Sequence, residues 1–319
     1  MNRMKATPRL SRVVIATRGS ALALWQSRWV AERLAEMYGD LTVDLHLVKT
    51  TGDRFQEAAL QAIGGKGAFT KEITEAILRG DADIAVHSLK DLPTEPVPGL
   101  RVWAHPPRFD PRDAWIGRDG LRYRDLPRNA TVATGSLRRR AQLLSHHPEA
   151  RVEDIRGNVE TRLRKFDEGS MAGMFLAVAG LERLGFAARL TEALDVDTFL
   201  PAPGQGALAI EGREDAVCDA LLTPLDDADT RDCVTAERSF LAALEAGCQV
   251  PLGATARLEI GTLVLRGLVA SLDGRNVVRG ETKGDRARAE AVGKTLAAEL
   301  RERGASRILD EVRRGGGMV

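Results

Sequence analysis

The chain has 319 residues, 44% apolar and 29% charged, with a formal net charge of +1. That composition belongs to a folded globular protein of two or three domains, and so even a balance gives no global attraction to nucleic acid or to a membrane surface. Three cysteines, Cys218, Cys233 and Cys248, are too few and too odd in number for a disulfide framework, which points to a reducing, cytoplasmic setting.

In chain order, residues 12–16 read as a strand. Residues 21–37 read as a helix, with Leu22, Trp25, Trp29, Val30, Leu34 and Met37 near helical spacing, and 43–48 as a strand. A loop containing Gly64-Gly65-Lys66-Gly67 leads into a helix over 70–79, with Thr70 as its cap and Glu72 and Glu75 in or near the first turn. Residues 84–86 form a short apolar strand. This alternation implies mostly parallel sheets covered by helices. Pro106, Pro107 and Pro111 mark a linker over 104–112. A second series follows, with strands at 131–134, 151–155 and 174–177 and helices at 136–145 and 159–168. Residues 200–206 form another break. Beyond it come a helix at 229–244, strands at 254–258, 263–270 and 277–282, and a helix at 286–303. Asp273-Gly274 between the last two strands is a strong hairpin signal, and the glycine-rich tail 313–319 reads as unstructured. The longest apolar stretch, 171–181, is too short to span a membrane, and 13–16 is too short for a signal-peptide core.

The densest chemistry lies where strands end. After 84–86 come His87, Ser88, Lys90 and Asp91, and ligands of open α/β sheets bind at the carboxyl ends of strands. A bare Lys-Asp dipeptide is ordinarily a surface ion pair, but several similar loops follow other buried strands. Thr17-Arg18-Gly19-Ser20 opens the first helix, with Ser20 as a plausible cap and free N–H groups for an anion. Thr134-Gly135-Ser136-Leu137-Arg138-Arg139-Arg140 repeats the arrangement, and three consecutive arginines on a helix leave one facing solvent. Arg156-Gly157-Asn158 with Arg162 repeats it again. The chain has 38 Arg against 8 Lys, and between Arg101 and Lys165 there are 15 basic and 8 acidic residues. The planar arginine fork suits carboxylates and phosphates, so the ligand carries several such groups. The glycine loop near Lys66 lacks phosphate-loop spacing and fits a lid carrying one cation as well as an ordinary surface loop. A nucleic-acid stripe is weakened by the short arginine run and an aromatic fraction of 4%. Cys248, in Gly247-Cys248-Gln249-Val250-Pro251, sits where a loop follows a helix, between a small core residue and a reactive one in character.

Taken together, these loops resemble the hydroxymethylbilane synthase (porphobilinogen deaminase) family. The likeness is carried by Ala16 to Ser20 with Leu24-Trp25-Gln26, Gly65-Lys66-Gly67 with Phe69, Ala85 to Pro93, and Asp110-Pro111-Arg112-Asp113-Ala114. It continues through Ser136 to Arg139, Ile155 to Asn158 with Thr161-Arg162, Leu176 to Leu184, Pro203-Gly204-Gln205-Gly206, and Gly247 to Gly253. The resemblance implies two doubly wound lobes like those of periplasmic binding proteins, 1–106 with 207–225 and 107–206, and a smaller C-terminal α+β domain over 226–319. It implies head-to-tail condensation of porphobilinogen, with loss of ammonia, on a dipyrromethane cofactor held by Cys248. It makes Asp91, with Lys90 and Arg18, the catalytic group. Ser20, Gln26, Lys66, Phe69, Ser88, Thr134, Ser136, Arg138, Arg139, Arg156, Gly157, Asn158, Arg162, Arg183 and Gln205 become the substrate-binding set. It implies a monomer without a metal, nucleic-acid partner or membrane. Two positions depart from the family pattern. Gly135 replaces a frequent serine, removing one hydrogen bond to a carboxylate. Glu160 replaces a small residue and is expected to point to solvent. The alternative is a non-catalytic two-lobed binding protein for an anionic small molecule, which would need neither Cys248 nor the third domain.

Overall fold

The computed structural model describes residues 11–50, 70–245 and 250–315. Two five-stranded sheets, each with helices on both faces, are followed by a three-stranded antiparallel sheet with helices. The chain is thus two similar α/β lobes and a smaller α+β domain.

The first sheet comprises β1 (Arg12–Thr17), β2 (Thr42–Leu47), β3 (Ile84–Ser88), β4 (Leu100–Ala104) and β10 (Leu208–Arg213), in the order β2-β1-β3-β10-β4. The pairs β1–β2 and β1–β3 are parallel, whereas β10 runs antiparallel to both β3 and β4. Helix α1 (Ala21–Met37) covers one face, packing Val30 and Leu34 on Val13, Ile15 and Ile84. Helix α2 (Lys71–Arg79) covers the other with Ile73 and Ile77, and α6 (Ala216–Leu222) adds Leu221 and Leu222 to the core beneath α1. Because β3 is covered on both faces, Ile84 to Val86 is a continuous apolar run.

The second sheet repeats this plan with β5 (Asp113–Gly117), β6 (Thr131–Ala133), β7 (Arg151–Glu153), β8 (Gly173–Ala177) and β9 (Glu192–Ala193), in the order β7-β6-β8-β5-β9. Here β5 is the antiparallel strand beside β8. Helix α4 (Val159–Glu168) and α5 (Val178–Arg183) pack on one face, and α3 (Leu137–His146) on the other. The chain crosses between lobes twice, through 105–112 and 194–207. Each sheet is therefore mostly parallel, as the alternation implies, with one antiparallel strand, β10 or β5, delivered by a crossover.

In the third unit β11 (Leu252–Glu259), β12 (Thr262–Ala270) and β13 (Val277–Asp285) form a meander. Helices α7 (Ala228–Ala243), α8 (Ala289–Leu300) and α9 (Ser306–Gly315) contribute Phe240, Leu296, Leu300 and Ile308 to its core. The hairpin expected at Asp273-Gly274 is present, and its tip presses on α3. Gly274 has a φ of +71°, and a Cβ there would stand 2.4 Å from Ser145 N.

Several local expectations change. Thr70 makes no side-chain cap bond, having a helical backbone (φ −119°, ψ −26°). The strand expected over 151–155 ends at Glu153. The helix expected over 286–303 is a 3-10 turn, then α8, then a π turn over Arg301–Ala305. The tail is helical through Gly315, and Arg313 donates to the carbonyls of Leu244 and Glu245.

Candidate active site

A cavity of about 470 Å³ opens between the lobes at the strand ends. The first lobe supplies Arg18, Ser20, Ser88, Lys90 and Asp91. The second supplies Thr134, Ser136, Arg138, Arg139, Arg156, Gly157, Asn158 and Arg162, and Gln205 enters from the second crossover. Leu241, Val250 and Leu252 close it from the third domain.

Three helix N-termini face this space. The Ser20 hydroxyl accepts from Ala23 N at 3.4 Å, Ser136 from Arg139 N at 3.4 Å, and Asn158 Oδ1 from Thr161 N at 2.8 Å. Each capping residue lines the cavity, so each helix dipole presents its positive end there. The first lobe's charged pair rides on a 3-10 turn, Leu89–Asp91, immediately after β3. Burial pushes the Lys90 ammonium down to about 8; Asp91 and Asp113 oppose that shift, and Arg139 and Arg138 reinforce it. Lys90 Nζ donates to Gln205 Oε1 at 3.4 Å. Ser88 is fixed by a 2.8 Å bond from Gln26 Nε2.

In the second lobe Arg138 and Arg139 are 5% and 6% exposed and converge on Asp113, which is wholly buried. Arg138 Nη1 lies 2.5 Å from one Asp113 oxygen, and Arg139 donates to the other from Nε at 2.9 Å and Nη2 at 2.7 Å. Arg138 Nη2, at 3.2 Å, and Gln205 Nε2, at 3.1 Å, bring the side-chain donors on Asp113 to five. Burial alone would raise the Asp113 carboxyl, but the two guanidinium charges outweigh it and hold it well below the usual carboxylate range. One carboxylate between two guanidiniums leaves this cluster with a net positive charge facing the cavity. Burial, with repulsion from Arg139, brings Arg162 down to about 10, against the pull of Asp91, so it stays charged at neutral pH. Arg140 is exposed, as expected for the third of three consecutive arginines.

Not every expected residue reaches the cavity. Arg183 lies outside its lining, stacked 4.3 Å from Phe109 and 5.7 Å from Trp25, with Nη2 donating to Gly206 O at 2.9 Å. Gln26 is 2% exposed and reaches the cavity only through its bond to Ser88. Lys66, Phe69 and Cys248 lie outside the described residues. Glu160, expected in solvent, instead lines the cavity and makes no hydrogen bond or ion pair among the described residues. It occupies the first turn of α4, where the helix dipole favours a carboxylate. At Gly135 a Cβ would meet the Asp154 carboxylate at 2.7 Å, so a serine there would require that side chain to shift. Asp154 in turn holds Arg156 Nε at 2.6 Å. Asp113 carried no assigned role in the sequence, although Asp110 to Ala114 was among the family-like motifs. Cys218 and Cys233 are buried, and burial pushes both thiols up to about 12, so neither is a nucleophile at neutral pH.

Fold and site define a class: a two-lobed α/β protein with an arginine-lined cavity between its lobes and a carboxylate, Asp91, on one wall. A family model described as porphobilinogen deaminase, dipyromethane cofactor binding domain, matches residues 13–218, and one for the porphobilinogen deaminase C-terminal domain matches 232–302. The porphobilinogen deaminase of Syntrophotalea carbinolica is 49% identical over 92% of this chain and 94% of its own. That of Desulforudis audaxviator is 49% identical over 95% of this chain and 98% of its own. Among solved structures, a TRAP periplasmic solute binding protein from Desulfovibrio salexigens is 11% identical, with a TM-score of 0.40, over 95% of this chain and 79% of that one.

The chain belongs to the porphobilinogen deaminase (hydroxymethylbilane synthase) family. It is a transferase that condenses porphobilinogen units through a dipyrromethane cofactor to form hydroxymethylbilane. No helix among the described residues is long and apolar enough to cross a membrane.

Proposed function

We propose that Asp91 carries the deamination chemistry, that the arginines around it grip the carboxylates, and that Cys248 anchors the dipyrromethane. The observation that carries this reading is the composition of the cavity. Its lining includes Arg18, Lys90, Arg138, Arg139, Arg156 and Arg162 against two carboxylates, Asp91 and Glu160, with three helix N-termini added. Such a lining fits a cofactor and a growing chain rich in acetate and propionate groups. When bound, the dipyrromethane supplies the pyrrole carbon to which the next ring is joined. Arg138, Arg139 and Arg162 would hold its carboxylates, and Leu241 and Val250, which precede and follow Cys248 in the chain, line the cavity.

Porphobilinogen loses ammonia as the new bond forms, so positive charge builds on its aminomethyl carbon and ring. Asp91 makes no hydrogen bond among the described residues and faces the cavity, where a fixed negative charge favours that transition state over the ground state. Lys90 and Arg18 would orient the incoming carboxylates. Ser20, Ser88, Thr134, Ser136, Arg156, Gly157, Asn158 and Gln205 would complete the binding surface. Lys66 and Phe69 would serve the same end, with Gln26 acting from beneath Ser88 and Arg183 from behind the cavity wall. We also propose domain boundaries at 1–106 with 207–225, 107–206 and 226–319, and a cytoplasmic monomer. Free, buried Cys218 and Cys233 agree with a reducing compartment.

Intact-protein mass tests the anchor. The purified chain should exceed its sequence mass by one dipyrromethane. Cys248→Ala should lose the adduct, while Cys218→Ala and Cys233→Ala keep it. An adduct mapping to Cys218 or Cys233 would overturn the assignment.

A further inference from the structure

The turn that presents Asp91 is held unevenly. Its entry is tied to the second crossover and the sheet: Leu89 N donates to Ala207 O at 3.1 Å, and the Leu89 side chain is buried with Ala207, Ala209 and Val234. Gly204 presses on the same side chain, since a Cβ there would stand 2.9 Å from Leu89 Cγ. Beyond the internal bond from Leu92 N to Leu89 O at 3.1 Å, the exit is gripped from another domain. Arg238, on α7, donates from Nη1 to Leu92 O at 3.0 Å and from Nη2 to Pro93 O at 2.7 Å. These are the first two carbonyls after Asp91. The preceding residue on α7, Glu237, binds Arg108 of the first crossover, Gly204 N of the second and Ala256 N of β11.

We propose that Arg238 is a positioning residue for the reaction. Its planar fork fixes the backbone on the exit side of the turn and thereby aims the Asp91 carboxylate, which has no side-chain hydrogen bond of its own among the described residues to aim it. The third domain thus sets the geometry of a group in the first lobe. This inference rests on the reading of Asp91 as the reacting carboxylate. A lysine carries the charge but cannot span both carbonyls with one rigid fork, so it should restore only part of the function.

The test uses holoenzyme with the cofactor content verified by intact mass. Arg238→Met and Arg238→Lys are compared with the parent and with Asp91→Asn for ammonia release, KM and thermal unfolding. Misplacing a reacting group by about 1 Å can cost up to about a hundredfold, so Arg238→Met should lose roughly tenfold or more in kcat. KM should stay within twofold, roughly the scatter of a substitution that leaves substrate contacts intact. Arg238→Lys should fall between. If Arg238→Met does not fold, the kcat-to-KM split in Arg238→Lys decides the matter. Parent-like kcat in loaded Arg238 variants, with Asp91→Asn inactive, would overturn the inference. So would a fall in kcat accompanied by a rise in KM and a lowered unfolding temperature, which marks a domain glue only. Full activity in Asp91→Asn would instead sink the reading of Asp91 beneath it.

Discussion

The two lobes share one strand order and use it for opposite purposes. In each, the third strand of the order ends at the cavity. In the first lobe β3 ends in Ser88, Lys90 and Asp91 on an accessible turn. In the second, β8 passes through Ala177 straight into α5, and its cavity-facing residues are Phe175, Leu176, Ala177 and Gly180. The second lobe instead concentrates charge at its helix N-termini and buries a carboxylate, Asp113, behind two of its arginines. A repeated scaffold thus separates the two demands of the chemistry. One wall presents its acid, Asp91, to the cavity, and the other buries its acid against two arginines.

Asp113→Ala should break the second wall. It would leave two buried guanidiniums without their shared partner, which costs about 3–5 kcal/mol when a buried ion pair loses one member. Urea unfolding of the holoenzyme would read this as a lowered midpoint with an unchanged slope. Asp91→Asn should break the first wall with no such penalty. Its melting profile should match the parent while turnover drops by about 10²–10³, the usual loss for one well-placed electrostatic group. It must be assayed with cofactor loaded; turnover within a few-fold of the parent would mean that Asp91 is only a structural partner of Lys90. The smallest effect should follow pH. Lys90 is charged below about 8 and neutral above, so KM for porphobilinogen should rise as pH climbs through that value. Lys90→Arg should lose that limb. Because the folded value lies below the reference 10.5, burial costs stability while the group is charged in both states, and that cost fades as pH rises from about 8 towards 10.5.

Much of this site is visible in the chain before folding because its signals are local. Helices α1 and α4 match their sequence readings residue for residue, since each has a capping Ser20 or Asn158 and a clear apolar period. The polar loops after β1, β3 and β6 are legible because an apolar run stops abruptly. What escapes notice is non-local. Strands β4, β5 and β10 flank the proline-rich crossovers, whose turn signals mask short apolar runs. Arg138 and Arg139 read as free ligands because nothing near them announces Asp113, about 25 residues upstream. Arg183 reads as a site residue from its motif alone, yet its aromatic neighbours Trp25 and Phe109 come from elsewhere in the chain. Charge logic sends Glu160 to solvent, whereas its place on the first turn of α4 puts it in the cavity lining.

The position of β10 has a consequence for biosynthesis. It lies between β3 and β4, yet it follows the entire second lobe in the chain. As the polypeptide leaves the ribosome, the first sheet cannot close until residue 213 has emerged, whereas the second sheet draws only on residues 113–193. The usual order, in which the N-terminal unit folds first, is therefore reversed for the sheets, and the nascent β3–β4 gap presents unpaired strand edges for the longest time. Of the two lobes, the one that bears Asp91, the proposed reacting acid, is completed later, on a partner lobe whose own sheet can already be paired.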